Sequence, residues 1–145
     1  MDGNNTRAVE AWIRDTPDAI AYSSHTMIGP IPRVDGVRII SFLLLRDPIS
    51  RILSAYKFER KQNAQTFGAR LAKKTDFEGY VRARLEMQND RQCRNFHTSR
   101  LASMVQCDAS EVERAIEAAK SISVIGFVEN FSKSMMRLYK KIEDV

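Results

Sequence analysis

Cysteine and histidine are scarce in this chain, at two residues each. Cys93 and Cys107 do not fall in a CxxC or comparable ligand spacing, so no metal site is expected. They read as reduced thiols, with one disulfide as the alternative in an oxidising compartment. Long apolar runs are missing as well. The longest, residues 39–45, is interrupted by Ser41 and falls far short of the ~20 residues that cross a bilayer. The opening MDGNNTRAVEAW is acidic and polar where a signal peptide would be basic and then apolar. A cytoplasmic location is therefore expected, unless an upstream segment adds a targeting or membrane signal. There is no internal repeat and no low-complexity stretch. The basic residues lack interleaved aromatics and any nucleic-acid motif, so nucleic acid is not an expected partner.

The chain has 145 residues, enough for one domain around one core. Apolar residues make up 43% and charged residues 28%, the balance of an ordinary globular protein. The net charge of +5 fits either an anionic ligand or a solvated basic surface. Arg60, Lys61, Arg70, Lys73 and Lys74 cluster together; they read as a solvated face, with a sulfated or carboxylated glycan as the alternative occupant.

Three apolar segments read as buried strands: residues 19–23, 37–45 and 122–128. The second and third are rich in β-branched and aromatic residues without clear alternation, as in a parallel sheet covered on both faces. Helices are predicted between them. One spans residues 7–14. Another starts at Asp47-Pro48 and runs through Ile52, Leu53, Tyr56 and Arg60. A third follows a capping box at residues 75–78 and turns Phe77, Tyr80, Val81 and Leu85 to one face. A fourth opens at residues 108–111 and ends near Lys120. A last one is capped by Asn130, with Met135, Leu138 and Tyr139 inward. Strands alternating with helices predict an α/β fold, with residues 26–36 as a long loop.

The segment with the most chemistry is LLLRDPISRILSAYKF, residues 43–58. A strand runs directly into Arg46-Asp47-Pro48 and then a helix. Ligands of open α/β sheets bind beyond the carboxyl ends of strands, where helix N-termini attract anions. Arg46 would leave the strand at that edge with its guanidinium available to a phosphate. Arg51 and Ser54, three apart, would share a face, and Asp47 and Arg51, four apart, can pair. On spacing alone, a capped helix carrying a surface ion pair is the favoured reading of the segment.

Arg46-Asp47-Pro48-x-x-Arg51-x-x-Ser54-x-Tyr56 resembles the RDPxxRxxSxY motif of sulfotransferases, above all the carbohydrate group. Two later segments resemble that family in the same order. One is residues 94–101, with His97 where glutamine is usual; the other is residues 125–131, similar to VGxxExF. The resemblance implies a P-loop-NTPase-like parallel sheet flanked by helices. It also implies sulfuryl transfer from 3′-phosphoadenosine 5′-phosphosulfate (PAPS) to a hydroxyl, on a carbohydrate by the closer likeness, with no metal. Arg46 and Ser54 would hold the 3′-phosphate, and Arg51, counted with them among the cofactor-binding residues, would support the turn together with Asp47. His25 sits at a distance before RDP similar to that of the catalytic base in heparan sulfate 2-O-sulfotransferases, and imidazole titrates near neutrality as that task requires. A loop histidine held by hydrogen bonds is the alternative for His25, and packing or a helix hydrogen bond is the expected role of His97.

One family element has no counterpart. Sulfotransferases of this group begin with a strand and a P-K-[ST]-[GA]-[GT]-[ST] loop whose amides cradle the phosphosulfate. Residues 1–14 contain no lysine, and Gly3-Asn4-Asn5-Thr6 does not replace that loop. The expectation is a single partial domain, residues 1–145, lacking the first strand and the sulfate grip. Such a chain would be an inactive piece of an enzyme or, alternatively, a non-catalytic nucleotide- or glycan-binding relic.

Overall fold

A computed structural model describes residues 4–24 and 26–144. In chain order the elements are α1 (Thr6–Asp15), β1 (Phe42–Leu45), α2 (Pro48–Lys61), α3 (Phe67–Lys74), α4 (Phe77–Glu86), α5 (Phe96–Ala102), α6 (Glu111–Ser121), β2 (Val124–Phe127), a 3₁₀ turn (Val128–Asn130) and α7 (Phe131–Glu143). The backbone falls into two compact units. One comprises Met1–Leu45 with His97–Val145, the other Arg46–Phe96.

The first unit carries the sheet. β1 and β2 are parallel, with Phe42 opposite Val124 and Leu45 opposite Phe127. Both strands are shorter than their apolar runs because serines close the ladder at its start. Ser41 N–H donates to Ser123 Oγ at 3.1 Å, and Ser123 N–H donates to Ser41 Oγ at 2.9 Å. Before that clamp, Val37 is taken up by an isolated antiparallel bridge to Val34 around Gly36, at φ 72°. The fold is thus mixed α/β with a parallel pair, as expected, but residues 19–23 form no strand. Ile20 is fully exposed. Tyr22 instead hooks the end of α1: its hydroxyl donates to Thr16 O at 2.6 Å, and its ring meets Trp12 edge-on at 5.0 Å. Short apolar composition looked like a strand, yet the segment has an aromatic hook and no ladder partner.

The polar residues Asn4, Asn5 and Thr6 tie the N-terminal segment to the long loop. Asn5 N–H donates to Ile28 O at 2.8 Å, Ile28 N–H donates to Asn5 Oδ1 at 2.8 Å, and Thr6 Oγ donates to Pro30 O at 3.0 Å. They pin the long loop at Gly29, whose φ of 125° and close approach to Asn4 and Thr6 admit no side chain.

α6 opens with a capping box: Glu113 N–H donates to Ser110 Oγ, and Ser110 N–H to the Glu113 carboxylate. Those hydrogen bonds hold the Glu113 carboxyl below its ordinary range. α7 docks on β2 through a small-residue contact. Ser134 Oγ accepts Phe127 N–H at 2.8 Å and donates toward the carbonyls of Phe127 and Asn130, both 3.0 Å away. Asn130 occupies the cap position without a side-chain cap bond. Burial along α7 falls on Ser134, while Met135 and Tyr139 are exposed, contrary to the inward face predicted from apolar spacing. Gly126 makes the contact possible, since a Cβ there would stand 2.5 Å from Ser134 Cβ. Gly126→Ala is therefore expected to destabilise the chain by roughly 1–3 kcal/mol through overpacking, read as a lower urea midpoint; an unchanged midpoint would refute this account of the docking.

The second unit is helical. Tyr56, Ala72 and Tyr80 form its buried centre, with Leu53, Leu71, Phe77, Val81 and Cys93 packed around them. Tyr56 meets Phe77 at 5.6 Å and Tyr80 at 5.2 Å between ring centroids, and its hydroxyl donates to Thr75 O at 3.0 Å. α3 was not predicted from the sequence; its buried face is built from Gly68, Ala69 and Ala72. α4 is capped by Asp76, whose carboxylate accepts Gly79 N–H at 2.8 Å, one residue later than the expected box. Thr75 belongs to the end of α3, where its hydroxyl donates to Leu71 O. Cys93 and Cys107 are both free thiols. No helix is long and apolar enough to cross a membrane among the described residues.

Candidate functional site

Within the helical unit, α2 is the element around which the site is built. Asp47 caps it: the carboxylate accepts Ser50 N–H at 2.8 Å, and Pro48 occupies the first turn. Those bonds from Ser50 hold the Asp47 carboxyl below its ordinary range, so the cap is ionised at neutral pH. The capped start fixes the direction of the first turns and with it the side chains they carry.

Arg46, Ser50, Leu53, Ser54 and Lys57 line one depression of about 170 Å³. They recur at spacings of three and four and so form a stripe along one side of the helix. Arg46 and Ser54, the two residues singled out from the motif, are both in it. The Nε–H of Arg46 is buried and has no hydrogen-bond partner among the described residues. Arg84 and Arg114 share that trait, so the open Nε identifies a site only together with the depression.

Arg51 is not in this lining. Three residues along a helix leave about 60° between side chains, and Arg51 turns to the other flank. Its guanidinium donates to the carbonyl of Gln92 and to Gln92 Oε1, and it stacks on the Phe96 ring at 3.9 Å. Burial lowers its affinity for a proton somewhat. Gln92 N–H donates to Asp90 Oδ1 at 2.7 Å. Asp90 in turn pairs with Arg84 of α4, which also grips Glu59 of α2 at 2.7 and 2.9 Å. Tyr80 donates to Glu59 at 2.8 Å. The circuit leaves α2 at Arg51 and returns to it at Glu59, so both halves of the helix are held. Burial opposes the Arg84 charge, but its carboxylate partners outweigh that and raise its pKa. Burial, followed by the Glu59 hydrogen bond, pushes the Tyr80 phenol far up, and burial raises the Cys93 thiol. All three groups keep their neutral-pH state and serve structure. Gly68 lets α3 lie against this cluster, since a Cβ would stand 2.1 Å from an Arg84 nitrogen.

The motif thus divides its labour: Arg46 and Ser54 face the depression, Asp47 and Pro48 start the helix, Arg51 braces a neighbouring segment, and Tyr56 fills the core. Ser50 and Lys57 were missed from sequence, although their three- and four-residue spacing from Arg46 and Ser54 is a readable signal. The partners of Arg84 carry no such signal. His25 lies outside the described residues. His97 opens the C-terminal part of the first unit and is half-buried.

A parallel strand pair and a capped helix immediately following one strand in sequence define a mixed α/β protein. The model of the sulfotransferase family matches residues 13–143, and the chain belongs to that family. An uncharacterized protein of Archaeoglobus fulgidus is 38% identical over 148 residues, which take in 97% of this chain and 58% of that protein. The chain therefore spans little more than half the length of that relative. No solved structure matches it.

Proposed function

We propose that the depression on α2 holds the 3′-phosphate of PAPS, with Arg46 as the charged donor and the Ser54 hydroxyl as the second ligand. The observation that carries this reading is that the two motif residues line one space of about 170 Å³. The buried, unpartnered Nε–H of Arg46 fits an acceptor supplied by a ligand. Arg51 is assigned to bracing rather than to contact with the nucleotide. β1 and β2 are taken as part of a P-loop-NTPase-like sheet.

The reaction that goes with this site is sulfuryl transfer to a hydroxyl, on a carbohydrate by the likeness to the heparan sulfate 2-O group. The acceptor oxygen attacks sulfur in line, the S–O bond to the 5′-phosphate breaks, and the hydroxyl proton passes to a base, for which His25 is the candidate. Arg46 and Ser54 anchor the nucleotide at its far end and orient it for that displacement.

The test is a melting series with adenosine 3′,5′-bisphosphate. At ~100 times its dissociation constant a ligand adds about 2.7 kcal/mol of stability, so a clear rise in Tm is expected, with adenosine 5′-monophosphate giving less. No rise at millimolar nucleotide would overturn the reading. Sulfate transfer from PAPS to a glycan, present or absent once binding is seen, separates the enzyme from a purely binding protein.

A further inference from the structure

Lys57 lies three residues beyond Ser54, at the far end of the stripe that begins with Arg46 and Ser50. It is exposed, and no hydrogen bond or ion pair engages it among the described residues. The position matters for the charge balance of the site. Asp47, ionised as the helix cap, interacts electrostatically with Arg46. A phosphate monoester carries about −1.5 to −2 near pH 7, so the single charge of Arg46 alone matches it poorly. Ser50, although in the lining, has its backbone N–H committed to the cap. Lys57 is the second cation in the lining of the depression.

We propose that Lys57 supplies the second positive charge of this depression and makes it select a doubly charged phosphate monoester over a singly charged diester. The inference rests on the reading that the depression receives the 3′-phosphate. A lysine ammonium acts there as a point charge without bidentate geometry, so arginine should replace it and a neutral amide should not. Its long stem lets the charge follow the ligand while Arg46 and Ser54 define the position.

The experiment measures binding of two probes to the full chain by calorimetry: adenosine 3′,5′-bisphosphate, and the same nucleotide with its 3′-phosphate methylated to a diester. The unaltered protein is expected to prefer the monoester. Lys57→Gln should weaken the monoester by about fivefold, the upper range for an exposed ion pair, while changing the diester little. Lys57→Arg should keep most of the preference. Equal monoester affinity in Lys57→Gln, or an equal loss for both probes, overturns the proposal and leaves the phosphate site standing. If the unaltered protein binds adenosine 5′-monophosphate as well as the bisphosphate, the underlying site itself is wrong. Melting curves of the two variants without nucleotide confirm that each is folded, which the exposure of Lys57 favours.

Discussion

Arg46→Ala should weaken binding of adenosine 3′,5′-bisphosphate by roughly ten- to a hundredfold. A hydrogen bond to a charged group contributes about 1.5–3 kcal/mol, and each 1.4 kcal/mol is tenfold in affinity. On the proposed reading, removal of the guanidinium takes away the charged donor of the phosphate site. It also leaves Asp47 beside the depression, an anion that then repels the ligand. The stability of the free protein should change little, because Arg46 lies outside the Tyr56–Tyr80 core. Titration calorimetry on the variant and its parent, each checked by a melting curve, gives the answer. Equal affinities would remove Arg46 from the site. Ser54→Ala should act in the same direction with a smaller effect, since the hydroxyl is a neutral donor.

The second large effect concerns stability. Arg84 is the hub of the buried circuit, its side chain only 8% exposed between Glu59 and Asp90, at 15% and 9%. Arg84→Met keeps much of the volume and removes the charge, which leaves two poorly solvated carboxylates facing each other. Breaking a buried pair in this way costs about 3–5 kcal/mol, a large part of the ~5–15 kcal/mol that holds a domain folded. Urea unfolding should show a midpoint far below the parent's. Replacing Glu59 and Asp90 by Gln and Asn in the same protein should recover part of the loss, because the orphaned charges go with the arginine. A loss under about 1 kcal/mol for Arg84→Met would mean that the circuit does not brace α2.

The two experiments probe different layers of one device. The first removes a group that meets the ligand. The second removes a group with no place in the depression lining, yet it should also loosen nucleotide binding in whatever protein stays folded. The path runs from Arg84 through Asp90 and Gln92 to Arg51, and directly through Glu59, so the helix that presents Arg46 and Ser54 is fixed along its length.

The local elements of this protein were legible in the residue order. Asp47-Pro48 marks the start of α2 because a carboxylate cap and a proline first turn act within a few residues of chain. The parallel character of β1 and β2 follows from their unalternating apolar runs. Arg46 and Ser54 were singled out by the motif, and both line the depression. Where a short-range rule competed with a longer-range partner, the sequence misled. Residues 19–23 had strand composition but became a hook on α1. α3 was overlooked, and only the fold shows that Gly68 on it lies against Arg84 and Glu59 from other helices. Arg51 shared a helix turn with the ligand residues, and only the fold brought Gln92 and Phe96 to it.

What the sequence by itself determined is therefore the helix cap, the strand pair and the family. Tertiary structure decided which side of α2 is open and which is braced, and it assembled the Glu59–Arg84–Asp90 cluster from positions far apart in the chain. The physical reason is range. Capping and periodicity act across one or two helical turns, whereas the burial that makes an ion pair strong exists only once three separate segments have closed around it.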